Sequence, residues 1–171
     1  MAVASLPEVI TPALPADREA VAQLLGRAPK AAFEVVVRAA DGTPVVTRNA
    51  PFEDDGTPMP TRYWLLPSSR AARAIGRLES SGGVRRAEEE IPADAIADAH
   101  RSYAYERNAD IPERWAGPRP AGGVGGTRRG LKCLHAHYAF WLSGADDAVG
   151  EWVWHQLTDD ERDDRVHRTA Q

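Results

Sequence analysis

The sequence predicts a single α+β domain, with a small antiparallel sheet packed against helices. Two β-type segments in the first half are joined by a turn signal, and the second half carries helical spacing of apolar residues. An alternating strand–helix pattern is missing, so a doubly wound nucleotide-binding fold is not expected. The 171 residues suffice for a buried core without disulfides or a structural metal.

The chain opens with a proline-containing segment, residues 1–13, which we expect to be a flexible arm. A helix is predicted for PADREAVAQLLGR, residues 15–27, because acidic residues fall at its positive N-terminal end and apolar residues form one edge. Gly26 is the expected stop.

The sheet is predicted from two stretches. FEVVVRAADGTPVVTRN, residues 33–49, alternates inward and outward positions around Asp41 and Gly42, a pair typical of hairpin turns. TRYWLLP, residues 61–67, reads as a third strand that Pro67 ends.

Helices dominate the remainder. We expect them at residues 69–80, 92–108, 131–142 and 146–157, with a proline- and glycine-rich loop at residues 112–130. In residues 92–108 we expect His100 to face water. The single domain would thus occupy residues 14–157, and the charged tail at residues 158–171 is expected to fray.

Composition excludes several classes of protein. A net charge of −4 argues against general nucleic-acid binding, which needs a strong basic excess. No run approaches the roughly 20 apolar residues that a membrane span requires. One cysteine excludes an internal disulfide, and the first residues do not resemble a signal peptide, so we expect a cytoplasmic protein.

The most distinctive stretch is GGVGGTRRGLKCLHAHYAF, residues 122–140. A glycine-rich loop before a helix offers backbone N–H groups and the positive end of the helix dipole to an anion, although the stretch matches neither the P-loop nor the dinucleotide motif. The alternative is a flexible loop with solvated arginines. The expected ligand-binding residues are Gly125, Gly126, Thr127, Arg128, Arg129, Lys132, Cys133 and His135.

Metal and thiol chemistry are weaker hypotheses for the same stretch. On a regular helix from residue 131, Cys133, His135 and His137 cannot share a face, and only Cys133 and His137 converge, as an i, i+4 pair. That pair is a weak metal candidate, and the sequence requires no metal or other cofactor. Cys133 lies near basic residues, so all three side chains are catalytic candidates; a buried, inert cysteine is the alternative.

Other side chains suggest less. Glu88, Glu89 and Glu90 are expected to form a solvated face. Trp152 and Trp154 lie two residues apart on a helix, so one of them can be exposed and serve a protein partner, as can the edge of the hairpin.

Several segments together resemble a known family. LLGRAPKAAFEVVVR, DGTPVVTRNAPFEDDGTPMPTRYWL, IGRLESSGGVRRAEEEI and GGVGGTRRGLKCLHAHYA resemble the bacterial "domain of unknown function 501" in its actinobacterial form, over residues 21–157. The resemblance implies a cytoplasmic single domain and carries the family motif onto Lys132, Cys133, Leu134 and His135. Members often have a cysteine near the position of Ala39 and sometimes another near that of Leu66, where this chain has none, which argues against a zinc site with several cysteines in this protein.

The family's gene neighbourhood implies either a phosphate-related role or a link to cell-envelope growth. Our leading hypothesis is an uncharacterised cytoplasmic protein that binds an anionic or phosphate-bearing small molecule at residues 122–137. The alternative is a non-enzymatic interaction protein with a protein partner in cell division or envelope assembly. A cysteine-dependent hydrolase or a metal-binding protein comes third, so whether the protein is an enzyme stays open.

Overall fold

A computed structural model describes residues 13–166. Among them are six helices and three strands, so the predicted α+β class is confirmed. In chain order the elements are α1 (Pro15–Leu25), β1 (Phe33–Arg38), β2 (Pro44–Asn49), β3 (Tyr63–Leu65), α2 (Ala72–Ser80), α3 (Gly83–Glu90), α4 (Ala93–Ala109), α5 (Leu134–Leu142) and α6 (Ala148–Gln156).

The sheet is antiparallel in the order β1-β2-β3. The turn between β1 and β2 contains Asp41 and Gly42, as predicted. The Asp41 carboxylate accepts the amide of Thr43 at 2.9 Å, and Gly42 has a φ of +86°, which favours glycine. Local turn chemistry therefore sets the hairpin.

Helix α5 lies at the centre of the core. All of its residues except His135 are buried, because β3 packs on one side of the helix and α6 on another. The contact with α6 is close: a Cβ on Gly150 would lie 2.2 Å from the Cβ of Trp141. Glycine is thus required where the two helices cross.

Two helix boundaries differ from the prediction. Helix α5 begins at Leu134 rather than at residue 131, because Cys133 has an extended backbone with φ −146° and ψ 117°. Helix α3 was not predicted. It starts directly after Gly82, whose φ of +84° ends one helix and reorients the chain into the next.

The described part of the tail is packed rather than frayed. The Asp163 carboxylate is buried and accepts hydrogen bonds from the Ser69 hydroxyl at 2.6 Å and the Arg70 amide at 3.0 Å, just before α2. An acidic side chain there satisfies amides at the start of a helix. Residues 1–12, most of the expected arm, and residues 167–171 lie outside the described part. Across residues 13–166, no helix is long and apolar enough to cross a bilayer.

Candidate functional site

The glycine-rich segment, residues 122–130 and called the glycine loop below, is fixed by a buried histidine of α4. His100 is only 6% exposed, contrary to the expectation that it faces water. Its Nδ1 accepts the Val124 amide at 3.0 Å, and its Nε2 lies 2.8 Å from the Gly130 carbonyl. Because an amide donates and a carbonyl accepts, the ring must be neutral with its proton on Nε2.

Burial is the main reason why the pKa of His100 is lowered, and the nearby His137 acts in the same direction. The hydrogen bond to Gly130 opposes both effects. The lowered pKa agrees with the neutral tautomer that the hydrogen bonds require.

The glycine loop approaches α4 more closely than any other residue type would allow. A Cβ on Gly123 would lie 2.4 Å from His100 Nδ1. Two helical turns after His100, the buried Arg107 donates to the Gly122 carbonyl. Side chains seven residues apart share a helix face, so one face of α4 holds the loop at several points.

Several amide donors in and just after the glycine loop already have partners. Gly123 and Gly126 donate within the loop, to the carbonyls of Thr127 and Gly123, and Leu131 donates to Glu88 at 2.8 Å. Glu88 is therefore more than part of a solvated face. The neighbouring Arg128 and Arg129 are exposed, and Arg128 Nε donates to the Ala121 carbonyl.

The start of α5 is satisfied by a carboxylate from α2. Glu79 Oε1 accepts the Leu134 amide at 2.7 Å, whereas Cys133, the N-cap residue, makes no side-chain cap hydrogen bond. Glu79 thus does what a capping side chain normally does.

The same carboxylate belongs to a cluster with Cys133 and His135, whose functional atoms all lie within 4.8 Å of one another. His135 Nδ1 is 3.2 Å from Glu79 Oε2, and His135 Nε2 donates to the Ala72 carbonyl at 3.1 Å. The hydrogen bond with Cys133 is the main cause that raises the pKa of His135 to about 9. Burial opposes that rise, while Glu79 and the Ala72 carbonyl add to it.

This cluster is not apparent from the sequence, for two reasons. Helical spacing predicts that α5 includes Cys133, which would turn Cys133 away from His135; the extended backbone of Cys133 instead brings both to one side. Glu79 comes from α2, more than 50 residues earlier in the chain, and nothing in its local sequence marks it. The only available signal was the Lys-Cys-Leu-His motif.

His137 is placed elsewhere, so the expected i, i+4 pair of Cys133 and His137 is not formed. Its side chain is fully enclosed, with Nδ1 2.7 Å from Asp147 Oδ2. The other oxygen of Asp147 caps α6 by accepting the amides of Val149 and Gly150. Within residues 13–166, His137 Nε2 is buried with no hydrogen-bond partner. His137 therefore joins α5 to α6.

A pocket of about 400 Å³ opens between β3, the glycine loop and the start of α5, and we call it the Cys133 pocket. It is lined by Thr61, Tyr63, Trp64, Leu65, Gly125, Lys132, Cys133, His135 and Ala136. The basic residues among them are Lys132 and His135, and within residues 13–166 no acidic residue lines the pocket.

Half of the expected ligand-binding residues line this pocket. Those that do are Gly125, Lys132, Cys133 and His135; those that do not are Gly126, Thr127, Arg128 and Arg129. The division follows from the glycine loop, which turns after Gly125 and carries both arginines toward solvent.

The two tryptophans expected to serve a protein partner are half-buried. The Trp152 indole donates to Glu90 at 2.6 Å. Trp154 packs on Trp141, and the guanidinium of Arg162 lies 3.8 Å from the centre of its ring. Both rings are therefore occupied by contacts within the chain.

The family described as "Protein of unknown function (DUF501)" matches residues 35–155 of this chain. That span contains every residue of the Cys133 pocket and also Glu79. No curated protein and no solved structure matches the chain.

Proposed function

Because the chain belongs to the DUF501 family, whose function is unknown, we propose a function from the geometry: the Cys133 pocket binds a small anionic ligand that also has an apolar part. A phosphate-bearing compound is one member of this class. The single cysteine supports the further proposal that the protein works in the cytoplasm.

One observation carries this proposal: the described lining residues include the Lys132 ammonium and no carboxylate, although Glu79 lies close to two of them, Cys133 and His135. Lys132 is exposed, so water screens its charge, and an ion pair of this kind contributes about 0.2–1 kcal/mol. An anion in the pocket would gain this energy without displacing a carboxylate from the described lining residues.

The remaining wall supports a ligand with an apolar body. Tyr63, Trp64 and Leu65 of β3 line one side, and Trp64 is only partly buried. Aromatic rings provide a large apolar surface, and the pocket volume is in the range of small-molecule sites.

The start of α5 adds partial positive charge. A helix leaves its first amides without intrahelical acceptors, and those of His135 and Ala136 belong to the first turn of α5. The Glu79 carboxylate offsets part of this charge. We therefore assign the main electrostatic role to Lys132 rather than to the helix dipole.

Arg128 and Arg129, which the sequence suggests as ligand-binding residues, are not part of this proposal, since neither lines the pocket.

The alternative function, as an interaction protein, would need an exposed apolar face. The exposed large apolar residues of the described chain are Leu14, Tyr105 and Val166, which are more than 60 residues apart in the sequence. This distribution favours the pocket.

The experiment compares two substitutions that each replace a positively charged side chain by an uncharged one. Calorimetric titration and thermal unfolding with phenyl phosphate, benzoate and orthophosphate would be measured for the wild type, Lys132→Met and Arg129→Met. We expect an aromatic anion to bind, with up to about fivefold weaker affinity in Lys132→Met and unchanged affinity in Arg129→Met, since Arg129 does not line the pocket. Equal effects of the two substitutions would contradict the proposal.

A further inference from the structure

We propose that Glu79, Cys133 and His135 bind a divalent transition-metal ion, and that zinc is the ion their chemistry suits best. This inference goes beyond the anionic ligand of the Cys133 pocket, because it concerns a cation held by a different set of atoms. It stands on the geometry of the cluster and does not depend on the proposed function.

The donor set selects the class of metal. The cluster offers one sulfur, one imidazole nitrogen and one carboxylate oxygen. Zinc accepts all three donors, whereas calcium and magnesium prefer oxygen alone.

The distances are close to those of a coordinated ion. Zinc–nitrogen and zinc–oxygen bonds of about 2.0–2.2 Å at a tetrahedral angle place the two ligand atoms about 3.4 Å apart. His135 Nδ1 and Glu79 Oε2 are 3.2 Å apart. The sulfur of Cys133 lies within 4.8 Å of a ring nitrogen of His135 and of a carboxylate oxygen of Glu79. Small side-chain rotations are therefore enough to complete the ligand set.

Backbone groups orient two of the ligands. The Ala72 carbonyl accepts the Nε2 proton of His135 at 3.1 Å, so Nδ1 is directed at the cluster. The Leu134 amide donates to Glu79 Oε1 at 2.7 Å, which leaves Oε2 for the ion. Metal-binding histidines and carboxylates are generally oriented by such outer hydrogen bonds.

Three protein ligands leave one position of a tetrahedral ion open. Cys133 and His135 also line the Cys133 pocket, so the open position faces the pocket. Zinc sites with three protein ligands are typical of catalysis, and sites with four are typical of structural support. An anion in the pocket would complete the coordination beside Lys132, and only this last step rests on the proposed function.

Cobalt(II) provides a direct test, because a thiolate bound to cobalt absorbs in the near ultraviolet by charge transfer. The chain has one cysteine, so such a band can come only from Cys133. Titrating the reduced, chelator-treated protein with Co²⁺ should give a band that saturates at one equivalent and disappears when Zn²⁺ is added. No anionic ligand is added, so a failure here is distinct from a failure of anion binding.

Variants identify the ligands. Cys133→Ser should abolish the band, and His135→Gln and Glu79→Gln should each weaken cobalt binding at least tenfold. The exposed His155 and Glu89 provide matched controls, since His155→Gln and Glu89→Gln should leave the titration unchanged. Absence of the band in the folded wild type would overturn the proposal. A band that is insensitive to both His135→Gln and Glu79→Gln would also overturn it, because it would show a lone thiol binding cobalt.

Discussion

Replacing His100 should release the glycine loop from α4. In His100→Leu, the hydrogen bonds to Val124 and Gly130 are lost while most of the buried apolar volume remains. Each hydrogen bond contributes about 1 kcal/mol, and a buried amide left without a partner costs about 1–3 kcal/mol. Since the Val124 amide becomes such a donor, we expect a loss of about 3 kcal/mol in the free energy of unfolding.

His100→Asn is the matched variant. The oxygen of asparagine reaches about as far as Nδ1 and can still accept the Val124 amide, while the bond to Gly130 is lost. The expected loss is therefore only about 1 kcal/mol. For a domain of this size, 1 kcal/mol corresponds to about 2–4 °C in Tm, so His100→Leu should melt about 6–12 °C below the wild type.

Urea and thermal unfolding of the three proteins measure both losses.

The difference in stability between these proteins also depends on pH. The pKa of His100 is lowered in the folded state, so its contribution to stability is complete above its usual value of 6.5 and is lost as the pH falls through the folded-state pKa. The difference between wild type and His100→Asn should therefore shrink in acid. Equal destabilisation by Leu and Asn, or a loss below about 0.5 kcal/mol for Leu, would refute the proposed contacts.

Three further predictions concern His135, two glycines and Asp147. In metal-free protein, NMR titration should give His135 a pKa of about 9, and Cys133→Ala should lower that pKa. The stabilising effect of the His135 interactions is complete below pH 6.5 and is lost as the pH rises through 9. A pKa near 6.5 in the wild type would be inconsistent with the cluster. Gly76→Ala should raise the free energy of unfolding by about 0.5–1 kcal/mol, because a Cβ there meets no atom within 4 Å. Gly123→Ala should lower it by about 2 kcal/mol, because a Cβ there would collide with His100; a change of the same sign in both variants would contradict the packing. Asp147→Ala removes the N-cap of α6 and the partner of His137, so denaturant unfolding should show a decrease of about 3 kcal/mol in the free energy of unfolding. A decrease of less than about 1 kcal/mol would contradict these contacts.

Much of the fold was predictable because local chemistry determines it. The hairpin at Asp41 and Gly42 follows from turn residues between alternating strands, and α1 ends at Gly26 as expected. These features depend on residues close in sequence. The family resemblance was also confirmed, over residues 35–155.

The candidate site was only partly predictable, because its arrangement depends on long-range contacts. The backbone of Cys133 is extended where helical spacing suggested that α5 had begun, and Glu79 takes the capping role from α2. His100 has neighbours in its own helix that are polar enough to suggest a water-facing position. It is buried only because the glycine loop folds over it, a contact between segments more than 20 residues apart.

The central claim, that the Cys133 pocket favours anions through Lys132, is tested most directly by alkylation of the chain's only cysteine. Rates with iodoacetate and iodoacetamide would be measured in the presence of a chelator. Both reagents attack the same thiolate, so the ratio of the rates reports the preference for a negative charge and not the thiolate fraction. A small free thiol gives the reference ratio.

We predict a ratio of iodoacetate to iodoacetamide rates several-fold above that of the free thiol. Lys132→Met should lower it, Arg129→Met should leave it unchanged, and added salt should reduce it. A wild-type ratio no higher than that of the free thiol, or an equal decrease in Arg129→Met, would contradict the assignment of an anion site to this pocket.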